Sequence, residues 1–311
     1  MLTSPLYWIG QRASRVLPTG LVIGLLFPAL ADALSHILSI AMIIPLAIAL
    51  ARIDWQQQFA YLKRWPLMLA LVAWVLIACP IIVWLLLTLL PVHEQLDIAA
   101  IMAAAAPPVT ACAAIALFLK LDAAIVVVTT VLTMLVVPIV LPPLALELLG
   151  ISINISLFQL SLRLAGFIFA AFFMAFLLKQ FMGQQRIQQH SQLMDGIAVV
   201  FISLFIIGIM NGVTAIVLER PAYAITTLLM SFAFVIFLQI ISAMVFWWLP
   251  RKTSLAIAMM CGNCNFGLMY IVLADQASAD LLIFYALGQI PMYVLPALQT
   301  PVYQHLLTIK R

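Results

Sequence analysis

Long runs of apolar residues, separated by short polar connectors, are the feature of this sequence that most restricts its fold. Several runs exceed the roughly 20 residues that a helix needs to cross a bilayer. Charged residues make up only 8% of the 311 positions, against about 25% in a soluble domain. The sequence therefore predicts an all-α polytopic membrane protein surrounded by the lipid bilayer. Nothing in it resembles a nucleic-acid-binding module.

The apolar runs divide into ten predicted spans. The run from Val16 to Ala51 is too long for one helix and is interrupted around Asp32–His36, so it is interpreted as two short spans. The other eight are Trp65–Leu90, with a kink at Pro80, Ile98–Leu119, Ala123–Leu146, Ile155–Leu178, Gly196–Leu218, Ala222–Leu249, Leu255–Ala274 and Leu281–Leu307. Five spans in each half, 1–150 and 151–311, imply two five-helix repeats of opposite orientation.

Two of these spans contain residues that interrupt a helix. In the ninth, residues 262–265 read Gly-Asn-Cys-Asn; glycine permits irregular backbone and asparagine amides can satisfy freed backbone groups. In the fourth, residues 107–110 read Pro-Pro-Val-Thr, and the two prolines remove two backbone donors. Irregular backbone at membrane depth is tolerated where protein buries it or where it lines a polar cavity. Both spans are predicted to break in mid-membrane, as helices do at transporter binding sites.

Polar side chains in and near the breaks are the candidate substrate contacts. Asn263 and Asn265 either line a cavity or only cap the half-helix ends, and Thr110 has the same two interpretations. Gln289 either faces the cavity or bonds to neighbouring helices.

Arg163 is the only basic residue inside a predicted span. A charge there costs at least ~2.5 kcal/mol and normally has a partner, yet all ten Asp and Glu residues are predicted to lie at span ends or in loops. Two interpretations remain. The side chain extends back to the headgroups, or its guanidinium binds the anionic group of a substrate in bidentate fashion. The absence of a mid-membrane carboxylate also argues against a proton relay.

Motifs for catalysis are missing from the sequence. It contains neither H-E-x-x-H nor G-x-S-x-G, so no enzyme activity and no cofactor are predicted. Cys261 and Cys264, together with Cys112 on the other broken span, form either a three-thiol site or small buried packing residues.

The basic residues indicate the orientation of the chain. With both termini in the cytoplasm, the ten-span layout places 12 of the 14 Lys and Arg residues in cytoplasmic segments, as the positive-inside rule requires. The expected location is a bacterial inner membrane.

This layout, the prolines of the fourth span and the Gly-x-x-Asn-x-Gly at 262–267 resemble the bile acid:sodium symporter family. The resemblance covers nearly the whole chain in layout, and in motif it rests on 107–122 and 262–268. It implies that spans three to five and eight to ten form a core in which the broken helices cross. Spans one, two, six and seven then form a panel that moves against the core. It also implies alternating-access transport of organic anions, often with sodium.

The sequence departs from the family where sodium binds. Met260 stands in place of the family's glutamate, Ala113 and Ala114 in place of a Ser-Asn pair, and Val75 in place of a glutamine. The remaining candidate sodium ligands are neutral: Asn265, Thr129 and Thr133. The sequence thus predicts a secondary transporter of a small organic anion that sodium stimulates weakly or not at all. The alternatives are a transport-inactive ligand sensor on the same fold and an intramembrane enzyme.

Overall fold

The computed structural model describes residues 5–54, 58, 61–148, 150 and 155–308, and within these ranges the chain is helical and contains no strand. Among these residues, six helices are long and apolar enough to cross a membrane, or seven if one bent pair counts as a single span. These lengths and compositions are those of an integral membrane protein. Both chain termini and residue 151, where the second predicted repeat begins, lie outside the described residues.

The helices are numbered in chain order. The first nine are α1 (Pro5–Gln11), α2 (Ala13–Leu26), α3 (Pro28–Ser35), α4 (Leu38–Ala51), α5 (Trp65–Ala73), α6 (Cys79–Leu89), α7 (Glu94–Ala104), α8 (Ala111–Phe118) and α9 (Ala123–Pro142). The others are α10 (Leu157–Gln189), α11 (Ser191–Ile209), α12 (Val213–Glu219), α13 (Pro221–Val245), α14 (Arg251–Gly262), α15 (Phe266–Leu273), α16 (Ala279–Leu287) and α17 (Gln289–Thr308). Single π-helical turns follow α5 (Trp74–Ala78) and α9 (Pro143–Leu148).

Fewer than ten helices among the described residues are long enough to span a membrane on their own. The chain also differs from the predicted ten-span layout at two places. The first apolar run bends by 107° between Leu26 and Pro28, because a proline ring clashes with the preceding turn. This bend was not predicted, whereas the interruption predicted around Asp32–His36 is present: α3 ends at Ser35, and a turn precedes the start of α4 at Leu38. Helix α10 continues beyond Leu178, where the sixth span was predicted to end, as far as Gln189, and it is interrupted at Gly183, where φ is 74°. The short and broken helices do not reach the length of a span on their own.

The kink expected at Pro80 has a specific form. Its ring displaces the carbonyl four residues earlier, and Leu76 lies within the π-helical turn Trp74–Ala78. The backbone therefore widens by one residue before the proline and continues as α6, as helices often do at such kinks.

The chain forms two compact units, each assembled from two stretches. Unit 1 comprises Met1–Asp54 and Ala165–Ala224, and unit 2 comprises Trp55–Leu164 and Ile225–Arg311. Each unit takes residues from both predicted repeats. Unit 1 holds most of the residues that the resemblance assigns to the panel, and unit 2 holds nearly all of those of the core together with residues 155–164. The inverted relation between the two halves stays a prediction.

Unit 1 is built around α11, which packs against α1, α2, α3 and α4. A glycine permits the closest of these contacts: a Cβ atom on Gly196 would lie 2.1 Å from the carbonyl oxygen of Leu6. At the start of α11, the Asp195 carboxylate pairs with Arg52 at the end of α4.

Unit 2 is built around the two helix pairs α7–α8 and α14–α15. Helix α7 packs against α6, α15 and α16, while α14 packs against α8, α9 and α17. Aromatic rings fill the centre of the packing: the centroids of Phe234, Phe266 and Phe284 lie 5.8–5.9 Å from one another. The paired helix breaks therefore lie inside a shell of other helices.

Candidate binding site at the paired helix breaks

The first break separates α7, which ends at Ala104, from α8, which begins at Ala111. Pro107 and Pro108 have no backbone N–H and cannot continue the helical hydrogen-bond ladder. Residues 105–109 are buried, so their free carbonyl groups require partners within the protein.

The second break separates α14, which ends at Gly262, from α15, which begins at Phe266. The Asn265 Oδ1 atom accepts a hydrogen bond from the Leu268 N–H at 3.0 Å and so caps α15. The Asn263 Nδ2 atom donates to the carbonyl of Met259 at 2.7 Å, in the last turn of α14. Both asparagines thus cap half-helix ends. Their predicted contact with a substrate stays a prediction.

The two breaks are hydrogen-bonded to each other. Pro108 and Cys264 form an isolated antiparallel bridge. The Val109 N–H donates to the Asn263 carbonyl at 2.9 Å, and the Asn265 N–H donates to the Pro107 carbonyl at 2.9 Å. Stretches that lie far apart in the sequence therefore satisfy each other's backbone groups, which explains how irregular backbone is tolerated there.

Two helix N-termini adjoin this pairing. Helix α8 begins two residues after Val109, and α15 begins one residue after Asn265. A helix N-terminus carries a partial positive charge and free N–H groups, which suit an anion. Thr110 is the N-cap residue of α8, is half-buried and makes no side-chain capping bond, so its hydroxyl is available for another partner.

Several buried polar atoms in unit 2 have no hydrogen-bond partner among the described residues. They are Gln58 Oε1, Thr129 Oγ1, Thr130 Oγ1, Gln239 Nε2, Asn263 Oδ1, Tyr285 OH and Gln289 Oε1. Leaving such a group unpaired costs about 1–3 kcal/mol, so these atoms are suited to contact water or a ligand. Tyr285 was missed by the sequence analysis. A sequence signal was available, because Tyr285 lies one helical turn before Gln289. In the structure, the Gln289 Nε2 atom donates a hydrogen bond to the Tyr285 carbonyl at 3.3 Å.

The candidate sodium ligands on α9 differ in their bonding. The Thr133 hydroxyl donates to the carbonyls of Thr129 at 2.8 Å and Thr130 at 2.9 Å, as helix-packing hydroxyls do. The Thr129 hydroxyl is fully buried and lacks a partner among the described residues. Of the two, Thr129 retains the freer oxygen. The proposed role of these residues in sodium binding stays a prediction.

The structure corrects the analysis of Arg163. Its Nη1 atom donates to the Val272 carbonyl at 3.0 Å, and its Nη2 atom lies 3.4 Å from Asp275 Oδ2. The expectation that no protein carboxylate reaches Arg163 was wrong, because Asp275 directly follows the last turn of α15 and folds back to the start of α10. The cation also adjoins the C-terminus of α15, where positive charge is favourable.

The four cysteines are free and buried, all within unit 2. The Cys112 thiol donates to the Asn263 carbonyl at 3.7 Å, and the Cys264 thiol donates to the Cys261 carbonyl at 3.2 Å. Among the described residues, no group of three His, Cys, Asp or Glu side chains is placed to hold a metal ion. The three-thiol site is therefore not formed, because two of its thiols bond to separate backbone carbonyls.

A second polar cluster, centred on Asp122, was missed by the sequence analysis, which placed this residue only among the acidic residues at span ends or in loops. Asp122 Oδ1 accepts from Tyr61 OH at 2.8 Å and from the Ile125 N–H at 3.4 Å, and Oδ2 accepts from Thr253 Oγ1 at 3.0 Å. Burial, and then the bond to Asp122, raise the pKa of Tyr61. The carboxylate thus joins the start of α9 to the first turn of α14.

The chain matches no protein-family model, and no curated protein matches its sequence.

Proposed function

We propose that this protein is a secondary transporter of a small organic anion and works by alternating access around the paired helix breaks. The observation that carries the proposal is the pairing itself: two interrupted helices meet there, and two helix N-termini adjoin the junction. In transporters, broken helices that present their N-termini, the positive ends of their dipoles, to the binding site are used to hold anionic groups. The resemblance to bile acid:sodium symporters agrees with it, as does the predicted ten-span, inverted-repeat layout.

The anion-binding residues in this proposal are Thr110, Asn263 and Asn265 together with the N-terminal amides of α8 and α15. Gln289 and Tyr285 supply further polar groups, since each has a buried oxygen without a partner among the described residues. Arg163 is assigned a supporting position instead, because the protein itself provides its carboxylate and carbonyl partners.

Sodium has a minor part in this proposal. Among the described residues no charged side chain is fully buried, and the buried polar side chains are those of Ser, Thr, Asn, Gln and Tyr. A sodium ion would have to use neutral oxygens such as Thr129 Oγ1 and Asn263 Oδ1, along with carbonyl groups at the ends of α7 and α14. We place the protein in a bacterial inner membrane with both termini in the cytoplasm.

Binding and uptake measurements test the proposal. Purified protein is screened by thermal shift against monocarboxylates, dicarboxylates and sulfonates, with and without sodium. Uptake of any stabilising anion into proteoliposomes is then measured. A transporter shows saturable uptake that Asn263→Ala weakens and the remote Gly166→Ala does not. Stabilisation without uptake would favour the sensor alternative, and stabilisation by cations alone would contradict the assignment to anions.

A further inference from the structure

An apolar groove of about 520 Å³ lies in unit 2, between α6 and α13. This volume falls within the range of about 300–1,000 Å³ that is typical of ligand sites. One wall is formed by residues at helical spacing on α13, among them Leu229, Met230, Ala233 and Phe237. The facing wall is a stripe of leucines near the end of α6, and Ala100 of α7 adjoins both.

The groove follows α13 for several helical turns and is almost without polar groups. From Thr226 to Phe237 its α13 wall extends about 16 Å at 1.5 Å per residue, roughly half the thickness of a bilayer core. Of the described residues that line it, Thr226 is the one with a polar side chain. A groove so poor in polar groups offers water few hydrogen-bond partners and favours a hydrocarbon occupant.

The groove opens toward lipid and is closed at its floor. Leu90 and Leu229 line it and yet remain 65% and 64% exposed, while Val83 and Phe234 are buried. Neighbouring apolar side chains outside it, such as Leu89 and Ile225, are also exposed. On membrane-spanning helices such surfaces face acyl chains, so the groove is continuous with the lipid-facing surface.

Other occupants fit the groove less well. An anionic substrate needs several polar partners, and a single threonine hydroxyl supplies too few. A transmembrane helix of another protein prefers a stripe of small residues that allows close backbone approach, whereas leucines form the rim.

We propose that one acyl chain of a membrane phospholipid binds in the groove between α6 and α13 as a defined ligand. There it contacts the first half-helix directly at Ala100. It also contacts Phe234, whose ring centroid lies 5.9 Å from that of Phe266, the first residue of α15. The bound chain therefore supports one half-helix at each break, α7 directly and α15 through Phe234.

Photo-crosslinking in a bilayer tests this inference without reference to transport. The full-length protein is reconstituted in vesicles of phosphatidylethanolamine and phosphatidylglycerol, with a trace of phosphatidylglycerol that carries a diazirine in mid-chain. Adducts are mapped by mass spectrometry. Groove residues such as Met230 and Ala233 should be labelled about tenfold more than Ile240, which faces lipid on the same helix; tenfold corresponds to about 1.4 kcal/mol.

Variants sharpen the test. Ala233→Phe fills the groove and should remove most of the groove adducts, whereas Ile240→Phe, exposed on the same helix, should leave them unchanged. Ala233→Leu serves as the milder filling variant if Ala233→Phe does not fold. Equal labelling of groove and lipid-facing residues, or none in the groove, would show ordinary surrounding lipid and overturn the proposal. Loss of groove adducts when a binding anion is added would assign the groove to the transported ligand and overturn it as well.

Discussion

Asn265 combines a structural task with a proposed binding task in one side chain. Its Oδ1 atom caps α15, and its backbone N–H bonds to the carbonyl of Pro107 in the other break. Within the described residues, no hydrogen bond is found from its Nδ2 group. In the proposed site, this group donates a hydrogen bond to the anion. Substitutions can separate the two tasks because serine also caps helices.

Asn265→Ala should destabilise the protein by about 0.5–2 kcal/mol, since the Leu268 N–H loses its capping oxygen. Asn265→Ser keeps a capping oxygen and should remain close to the native stability. Both variants should lose anion binding, because both lack the amide. Thermal unfolding with and without the stabilising anion measures the two effects. Native anion binding by Asn265→Ser would show that Asn265 is only a cap.

Arg163→Leu should leave anion binding nearly unchanged, because Asp275 and the Val272 carbonyl already pair with the guanidinium. The loss of stability should stay below about 1 kcal/mol, as is usual for exposed ion pairs; the Asp275 side chain is 78% exposed. Asp275→Asn is the matched variant and should behave alike. Loss of anion binding in Arg163→Leu, with native binding in Asp275→Asn, would return Arg163 to the binding site.

The pairing of Arg163 with Asp275 shows which feature of a site can be predicted from sequence and which cannot. Its position inside an apolar span identified it as a residue in need of a partner, and that expectation holds. The partner could not be predicted, because Asp275 lies in a connector and is brought to Arg163 only by tertiary packing. For Asn263 and Asn265 the chemistry was local, so their capping roles were among the predicted alternatives.

At the scale of helices, Gly262 sets how closely α13 and α14 pack. A Cβ atom there would lie 2.6 Å from the Val235 carbonyl oxygen and 2.5 Å from Gln239 Cγ. Gln239 can move, but the backbone carbonyl can do so only if a helix shifts.

Gly262→Ala should therefore destabilise the protein by about 1–3 kcal/mol, the usual cost of overpacking a core. Gly166 provides a matched control: it is helical and exposed, and a Cβ atom there would meet nothing within 4 Å. Gly166→Ala should be neutral or stabilise by about 0.5–1 kcal/mol. Unfolding midpoints of the two variants in detergent give the comparison. Equal midpoints would mean that α13 and α14 are not in tight contact.

Helix breaks were predictable from sequence where the cause is local. Two adjacent prolines and a Gly-Asn-x-Asn stretch interrupt a helix whatever surrounds them, and both breaks are present. The bend between Leu26 and Pro28 was missed because a proline can also lie in an unbroken helix, as Pro45 does in α4. The hydrogen bonds between the breaks join distant stretches, and only the family resemblance indicated a crossing.

At the scale of the whole molecule, the distribution of charge bears on energy coupling. Among the described residues, no Asp, Glu or His is fully buried, and a proton relay needs such groups. Anion uptake into proteoliposomes should therefore persist when an uncoupler collapses the proton gradient and when choline replaces sodium. Uptake measured under the four combinations of gradients tests this. Strict dependence on either gradient would contradict it.

Membrane topology follows from the predicted spans and the basic connectors. A reporter enzyme that is active only in the periplasm should be inactive when fused after Arg311 and active when fused after Glu147. Arg311 and the Glu147 side chain lie outside the described residues, so the prediction rests on the positive-inside rule. The opposite pattern would mean that the ten-span layout has one span too many or too few.

The Asp122 carboxylate gives the paired breaks a second point of attachment. Near the end of α8 it accepts a hydrogen bond from Thr253 in the first turn of α14, while at the other end the Val109 N–H bonds to the Asn263 carbonyl. Two bodies joined at one point can swivel, but two bodies joined at both ends cannot. Helices α8 and α14 should therefore move together as one rigid body, and any hinge that serves transport must lie outside these two helices.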